Sequence, residues 1–288
     1  PSEIEAIQGA TAIDRATNAA AVAQVHDADM VIYGVLRLDS NQTSLQPELF
    51  VNPDKLFKAE EATGQYGQYT FGSPIIVPDR IGRNDVAGGE LRQRLIKRLV
   101  SLVDFSIGLG YFALIKYDDA AAYFEKASQS LDSGKEQAVV LLFQGTAAVK
   151  RRDLDSAAEH YRAALEVDGQ YARAQLGLSQ IYFLRARDDC KPDQVDAAGL
   201  AAAEAGYQKA RDMPEPPLAD IDFKARLMLA NVYVCQSISD IENRWLDAES
   251  NLKWIIQFYE SAPEDNVRIQ YLAIEAANAL ALVYYQSQ

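Results

Sequence analysis

One short pattern of small and large apolar residues recurs four times in the second part of this chain. Its first copy is Ala120, Phe124 and Ala127, an alanine followed four positions later by a large side chain and three positions after that by a small one. The later copies are Ala157, Tyr161 and Ala164, then Ala203, Tyr207 and Ala210, then Ala248, Leu252 and Ile255. Residues three and four positions apart share one face of an α-helix, so each copy predicts an amphipathic helix.

A further helix signal precedes each copy, and it contains one small residue within an apolar run. The small positions are Gly108, Gly145, Ser179, Ala230 and, in a fifth unit, Ala281, and they are separated by 37, 34, 51 and 51 residues. Small residues let two helices approach closely, and the large residues fill the space between neighbouring helix pairs. A period near 34 residues predicts a solenoid of helical hairpins, and the two longer steps predict insertions in repeats three and four.

The fifth unit contains a first helix around Leu280 to Tyr284, and no second helix follows it in this sequence. An incomplete terminal unit leaves apolar surface open, because each repeat buries its apolar face against a neighbour. We therefore expect that the chain is part of a longer protein or forms a homodimer through this half repeat.

The first 90 residues mix helix and strand signals. The alanine-rich segment Ala16 to Asp27 lacks glycine and proline and predicts a helix. The segment Met30 to Leu38 is rich in β-branched and aromatic residues and predicts a buried strand. A second strand is predicted near Pro47 to Val51, and a third at Tyr69 to Val77, where Pro74 indicates an edge or bent strand.

These signals together predict a mainly α fold with two parts. Residues 1–90 form a small α/β module with one helix and about three strands, and residues 91–288 form a helical-hairpin solenoid of about 4.5 repeats.

Charge and cysteine content exclude several kinds of protein. The formal net charge of -13 disfavours a nucleic-acid partner, because phosphate binding needs clustered Lys and Arg. No apolar run reaches the ~18 residues of a membrane-spanning helix. The two cysteines, Cys190 and Cys235, have neither a CxxC nor a CxxH spacing, so we expect two small core residues rather than a disulfide framework or a zinc site.

No grouping of residues in the sequence predicts catalysis, a metal or a cofactor. The two histidines, His26 and His160, lie in no known catalytic spacing, and no phosphate-binding loop motif is present. The glycine-aromatic segment Gly64 to Gly72 could stack a small ligand, but a turn that leads into a strand explains its composition more simply. We therefore predict that the protein is not an enzyme.

The repeat pattern carries a resemblance to a known family. Residues 100–288 resemble the tetratricopeptide-repeat (TPR) proteins of bacteria, although the first-helix tryptophan and most of the terminal prolines of that pattern are absent. In the N-terminal part, Ala28 to Leu36 is similar to a stretch of the TolB-like or CsgG-like α/β modules that precede bacterial TPR arrays. These resemblances imply a protein-binding scaffold within a larger bacterial protein.

In TPR arrays the first helix of each repeat lines a concave groove in which peptides or helices bind. The resemblance implies that the groove residues here are Leu142, Thr146, Lys150, Arg173, Gln180, Phe183, Lys224, Leu227, Asn231, Val234, Asn278 and Tyr285. Only Lys224 and Asn231 fit the carboxylate clamp that some TPR proteins use, so we expect a mixed apolar and polar groove instead.

Two functions remain open from the sequence. The first is a non-catalytic scaffold or adaptor that holds another protein or peptide. The alternative is a sensor, in which the α/β module binds a small molecule or nucleotide and the solenoid transmits the change. The sequence does not decide the compartment. The cytoplasm is slightly favoured, and an extracytoplasmic domain of a membrane protein is the alternative, because the low cysteine content suits both.

Overall fold

The structure, a computed structural model, describes residues 6–39, 42–52, 67–70, 74–78, 86–131, 135–213, 220–261 and 267–287. Ten α-helices and four β-strands lie in these ranges, so the predicted mainly α fold with a small N-terminal α/β part is confirmed. The chain divides into two compact units, Pro1–Asp153 and Leu154–Gln288. The predicted boundary between residues 90 and 91 stays a prediction.

The N-terminal part of the first unit is one helix packed on an antiparallel sheet. Helix α1 (Ala12–Val25) begins with a capping box in which Thr11 and Asp14 satisfy each other's backbone amides. Strands β1 (Met30–Asp39) and β2 (Gln42–Val51) pair along their whole length. Strands β3 (Gly67–Thr70) and β4 (Ile75–Val77) both pair with β2, so among the described strands β1 lies at an edge of the sheet.

Two of the strand predictions need correction. The predicted third strand is two short strands, β3 and β4, and Pro74 lies outside both of them. The prediction that β1 is buried is wrong, because Ile32, Leu36 and Leu38 are exposed. Helix α1 packs on the opposite face of the sheet, where Ala19 and Ala23 lie near Phe50, so it does not cover these three residues.

A buried ion pair joins α1 to the sheet. The guanidinium of Arg15 donates two hydrogen bonds of 2.9 Å to the carboxylate of Glu48 in β2, and both side chains are almost fully buried. Burial costs each charge its hydration, and the two-pronged geometry offsets that cost. The hydrogen bond to Glu48 is the main cause that raises the pKa of Arg15.

Three helices complete the first unit: α2 (Val86–Ala113), α3 (Tyr117–Gln129) and α4 (Lys135–Lys150). Helices α2 and α3 form a hairpin in which a Cβ at Gly108 would lie 2.6 Å from the ring of Phe124. The position therefore needs a glycine. Phe143 of α4 lies 5.5 Å from Phe124 and 5.3 Å from Phe105, measured between ring centroids, and the three rings form the core of the hairpin stack.

Six helices form the second unit. They are α5 (Leu154–Val167), α6 (Ala172–Ala186), α7 (Ala197–Asp212), α8 (Asp220–Ile238), α9 (Trp245–Ser261) and α10 (Val267–Gln286). Helices α6 and α7 form one hairpin and α8 and α9 form the next, while α10 packs against both α8 and α9. The packing is TPR-like, since Tyr161 of α5 covers Gly177 of α6 and Ser179 of α6 meets Gly206 of α7.

The residues that carry the repeat pattern lie in the interior. All twelve pattern positions of the four second helices are at most 3% exposed. The small positions Gly108, Gly145, Ser179 and Ala230 of the first helices are buried as well, whereas Ala281 in α10 is exposed. The helical-hairpin prediction is thus confirmed in detail, and the exposed Ala281 marks where the stack of helix pairs is open.

The insertion between α6 and α7 contains a disulfide that the sequence analysis did not predict. Cys190 and Cys235 are joined across 45 residues of sequence, with their Cα atoms 5.0 Å apart. The expectation of two separate core cysteines is therefore wrong. Residues 187–196 fold back so that Cys190 reaches α8, a proximity that spacing along the sequence does not reveal.

Arg244, in the loop between α8 and α9, binds residues of three helices. Its guanidinium lies 3.4 Å from a carboxylate oxygen of Glu204 in α7 and 4.2 Å from the ring centroid of Tyr233, and it also binds Asp247. Burial opposes its charge, but the hydrogen bond to Asp247 and the charge of Glu204 raise the pKa of Arg244 overall. The second insertion is thereby held against the core of the unit.

Candidate protein-binding surface

Helix α10 exposes one long apolar side. We call Ile274, Asn278, Ala281, Leu282 and Tyr285 the α10 outer face, because their three- and four-residue spacing places them on one side of the helix. Ile274 is 57%, Leu282 50% and Tyr285 77% exposed. Surface leucines and isoleucines occur singly on most proteins, but a contiguous stripe of them indicates an interaction site.

The opposite side of α10 is firmly packed. Ile269, Leu272, Ala276 and Val283 are buried in the core that α10 shares with α8 and α9. The helix therefore has a fixed orientation, and this packing is what presents the outer face to solvent.

A small polar cluster holds α10 against α9. The hydroxyl of Tyr284 donates a 2.8 Å hydrogen bond to Glu249, and Lys253 forms an ion pair of 2.5 Å with the same carboxylate. Hydrogen bonds from Lys253 and then Tyr284 lower the pKa of Glu249, and the bond to Glu249 raises the pKa of Lys253 to about 12. Both charged side chains stay in contact with solvent, so their role is to orient the helix more than to stabilise it.

Helix α8, the first helix of the previous repeat, can be compared with α10 position by position. The repeat step of 51 residues relates Ile274, Asn278 and Ala281 of α10 to Phe223, Leu227 and Ala230 of α8. These three residues of α8 are all buried.

Helix α9 packs on α8 at the first of these three residues. The ring of Phe223 lies 5.3 Å from Trp254 and 5.1 Å from Phe258, both of α9. At Ile274, the α10 outer face therefore corresponds to a position that a second helix covers in the previous repeat.

The structure places the predicted groove residues in three different environments. Five of them are buried: Leu142, Thr146, Arg173, Phe183 and Leu227. Five are partly buried: Lys150, Gln180, Lys224, Asn231 and Val234. Asn278 and Tyr285 lie on the α10 outer face, and both are exposed. Only the last two groups present side-chain surface that a partner can reach.

The exposure of equivalent positions increases along the second unit. Phe183 in α6, Val234 in α8 and Tyr285 in α10 are separated by 51 residues each, and they are buried, partly buried and exposed in that order. Arg187 lies over the ring of Phe183 with its guanidinium carbon 5.8 Å from the centroid, so the first insertion helps to cover that site. Of these three equivalent positions, the one on α10 is the most accessible to a partner.

The family pattern did not identify Ile274 and Leu282, the two apolar residues at the centre of the α10 outer face. The sequence does carry a signal for them, because both are large apolar residues in the one helix that no second-helix pattern follows. A search for apolar positions left without a covering helix would have selected them.

Other kinds of site find little support among the described residues. No group of three or more His, Cys, Asp or Glu is placed to hold a metal ion there. Within the same ranges, no helix is long and apolar enough to cross a bilayer. Of the segment from Gly64 to Gly72, only residues 67–70 are described, as β3, and the rest lies outside the described residues.

Comparison with known proteins adds little to this picture. No protein-family model matches the sequence, and no curated protein matches it either. The crystal structure of a thermophilic TPR protein from Thermus thermophilus is similar at 18% sequence identity and a TM-score of 0.38, over 63% of this chain and 99% of that chain. At that TM-score the similarity carries no weight, and the TPR-like fold rests on the buried repeat positions and helix contacts described above.

Proposed function

We propose that this chain is a non-catalytic scaffold that binds a helical segment of another protein on the α10 outer face. The observation that supports the proposal is the exposure of Ala281, because the equivalent small residues of the other four first helices are buried. A small residue on a helix surface lets a second helix approach closely. Such a residue in the middle of an exposed apolar stripe favours a helix as the bound element.

The contact between α9 and α8 indicates which side chains a partner helix should carry. Helix α9 covers α8 with the aromatic residues Trp254 and Phe258. A partner helix on α10 should therefore place a large or aromatic residue near Ile274 and smaller residues near Ala281. Asn278 supplies one hydrogen-bonding group in the centre of the surface.

A synthetic peptide provides the first test. We expect a fluorescent peptide with the sequence of α9, residues 245–261, to bind the chain, measured by fluorescence anisotropy. The double variant Ile274→Glu/Leu282→Glu should bind at least tenfold more weakly, because it places two charges in the apolar contact. Leu246→Glu, a substitution at an exposed leucine of α9, is the matched control and should bind like the unchanged chain.

Absence of binding by the unchanged chain, or equal binding by the double variant, would contradict the proposal. Light scattering on the same proteins tests the homodimer through the half repeat. If a second copy occupies the α10 outer face, a dimer should be lost in the double variant and kept in the Leu246 variant.

The partly buried first-helix residues extend the proposed surface. Gln180 in α6, Asn231 in α8 and Leu282 in α10 occupy equivalent positions, and α8 contacts both α6 and α10. A partner long enough to cross several first helices would meet these residues in turn. The bacterial origin and the TolB-like or CsgG-like character of the N-terminal module stay predictions.

A further inference from the structure

In the part of the chain that the structure describes, the edge strand β1 has no bulge, no proline and no lysine to protect it. Among the described strands it has one neighbour, β2, with which it pairs without a bulge over all ten residues. The segment MVIYGVLRLD contains no proline and no lysine. Natural proteins usually place such residues or bulges on edge strands, because a regular free edge is a template for pairing with another strand.

The side chains of β1 make the edge apolar on one face. Ile32 is 40%, Leu36 64% and Leu38 82% exposed, and all three point to the face away from α1. On the same face, Leu49 of β2 and Ile75 of β4 are buried. The apolar layer is therefore covered in the interior of the sheet and open at β1.

Gly34 lies in the middle of this open row. A Cβ at this position would be 2.7 Å from a methyl carbon of Leu45, so the glycine accommodates a leucine from the neighbouring strand. The space above Gly34 is therefore filled by Leu45, and the glycine itself presents no side chain at this point of the edge.

We propose that β1 pairs with β1 of a second copy of this chain, antiparallel and centred on Val35, to form one continuous sheet across a dimer. In this register Leu36 lies opposite Gly34, which has no side chain to oppose it, and Leu38 lies opposite Ile32. Residues 32–38 pair in this register, and their single charged residue, Arg37, lies opposite Tyr33, so no like charges face each other. The strand thus complements itself, as a two-fold interface requires.

The expected affinity is modest. Pairing over about seven residues per strand buries less than the ~800 Å² per partner of a standard interface. We therefore expect a weak dimer whose population increases with protein concentration. The dimer gives the N-terminal module a function of its own, independent of the α10 outer face.

Size-exclusion chromatography with light scattering on the full chain, over a hundredfold range of concentration, tests the proposal. We expect a dimer at high concentration for the unchanged chain and for the Leu246→Lys control, and a monomer for Leu36→Lys/Leu38→Lys. Circular dichroism and thermal unfolding check that the double variant is folded. A monomeric unchanged chain, or a dimer that persists in Leu36→Lys/Leu38→Lys, would overturn it.

Cysteine cross-linking tests the register separately. Both native cysteines are joined in a disulfide, so an introduced thiol has no internal competitor. Val35→Cys should form a covalent dimer under mild oxidation, because the two copies of residue 35 face each other. Leu38→Cys alone should not, since its two copies lie about 20 Å apart in this register, but it should cross-link when mixed with Ile32→Cys.

A covalent dimer of Leu38→Cys alone, or no product from the mixture, would contradict this pairing. A dimer that is lost in Ile274→Glu/Leu282→Glu, and not in the β1 variants, would instead assign self-association to the α10 outer face. The two surfaces are therefore distinguishable.

Discussion

The disulfide between Cys190 and Cys235 makes a quantitative prediction about the second unit. The bond closes a loop of 45 residues and ties the first insertion to α8. A cross-link stabilises a protein mainly by restricting the unfolded chain, and a loop of this length corresponds to about 4 kcal/mol. We expect the double variant Cys190→Ser/Cys235→Ala to lose about this amount of unfolding free energy.

The choice of substitutions follows from burial. Cys235 is fully buried, and a serine hydroxyl there would need a hydrogen-bond partner, so alanine isolates the loss of the bond. Cys190 is partly exposed and tolerates serine. With a urea dependence of about 2 kcal/mol per molar, the unfolding midpoint should fall by about 2 M.

Urea unfolding followed by circular dichroism, with and without a thiol reductant, measures the effect. Reductant should lower the midpoint of the unchanged chain to that of the double variant and leave the double variant itself unaffected. Hydrogen exchange should also increase in residues 187–196, where Asp188, Asp189 and Cys190 have positive φ angles that the bond helps to hold.

Two results would refute this reasoning. One is an unchanged midpoint on reduction, and the other is two free thiols in unreduced, denatured protein.

Because structural disulfides persist in oxidising compartments, the bond also predicts that the native chain is found outside the reducing cytosol.

Three further substitutions have outcomes that thermal or chemical unfolding can check. Tyr207→Phe should stabilise the second unit by about 1 kcal/mol, because the buried hydroxyl has no hydrogen-bond partner among the described residues; a loss of stability would contradict this. Glu48→Ala should destabilise the N-terminal module by about 3 kcal/mol, since it leaves the buried charge of Arg15 unpaired, and an unchanged stability would be evidence against the pair. Gly177→Val should cost about 2 kcal/mol, because a Cβ at this position would lie 2.6 Å from the Tyr161 ring, and a neutral effect would show that the helices can separate.

The helical architecture was predictable because its signal is local and repeated. Each copy of the pattern around Phe124, Tyr161, Tyr207 and Leu252 specifies one buried helix face, and several copies in series leave few alternative folds. The local strand signal located β1 to within one residue, whereas β2 begins five residues before its predicted start at Pro47.

Contacts across long stretches of sequence were less predictable. The pairing of Cys190 with Cys235 depends on how an insertion folds back, and the edge position of β1 depends on the order of strands in the sheet. The burial of the predicted groove residues Phe183 and Leu227 was not predictable, because the family pattern does not include the insertions and neighbouring helices that bury them. The candidate surface was predictable only in part, through Asn278 and Tyr285.

Photo-cross-linking from the α10 outer face tests the central claim most directly. A benzophenone amino acid at position 274 should cross-link to the α9 peptide, at the residues that correspond to Trp254 or Phe258, because these residues contact the equivalent position of α8. The same group at position 246 should give no product. Equal cross-linking from the two positions, or none from position 274, would contradict the claim that α10 offers an open site for a partner helix.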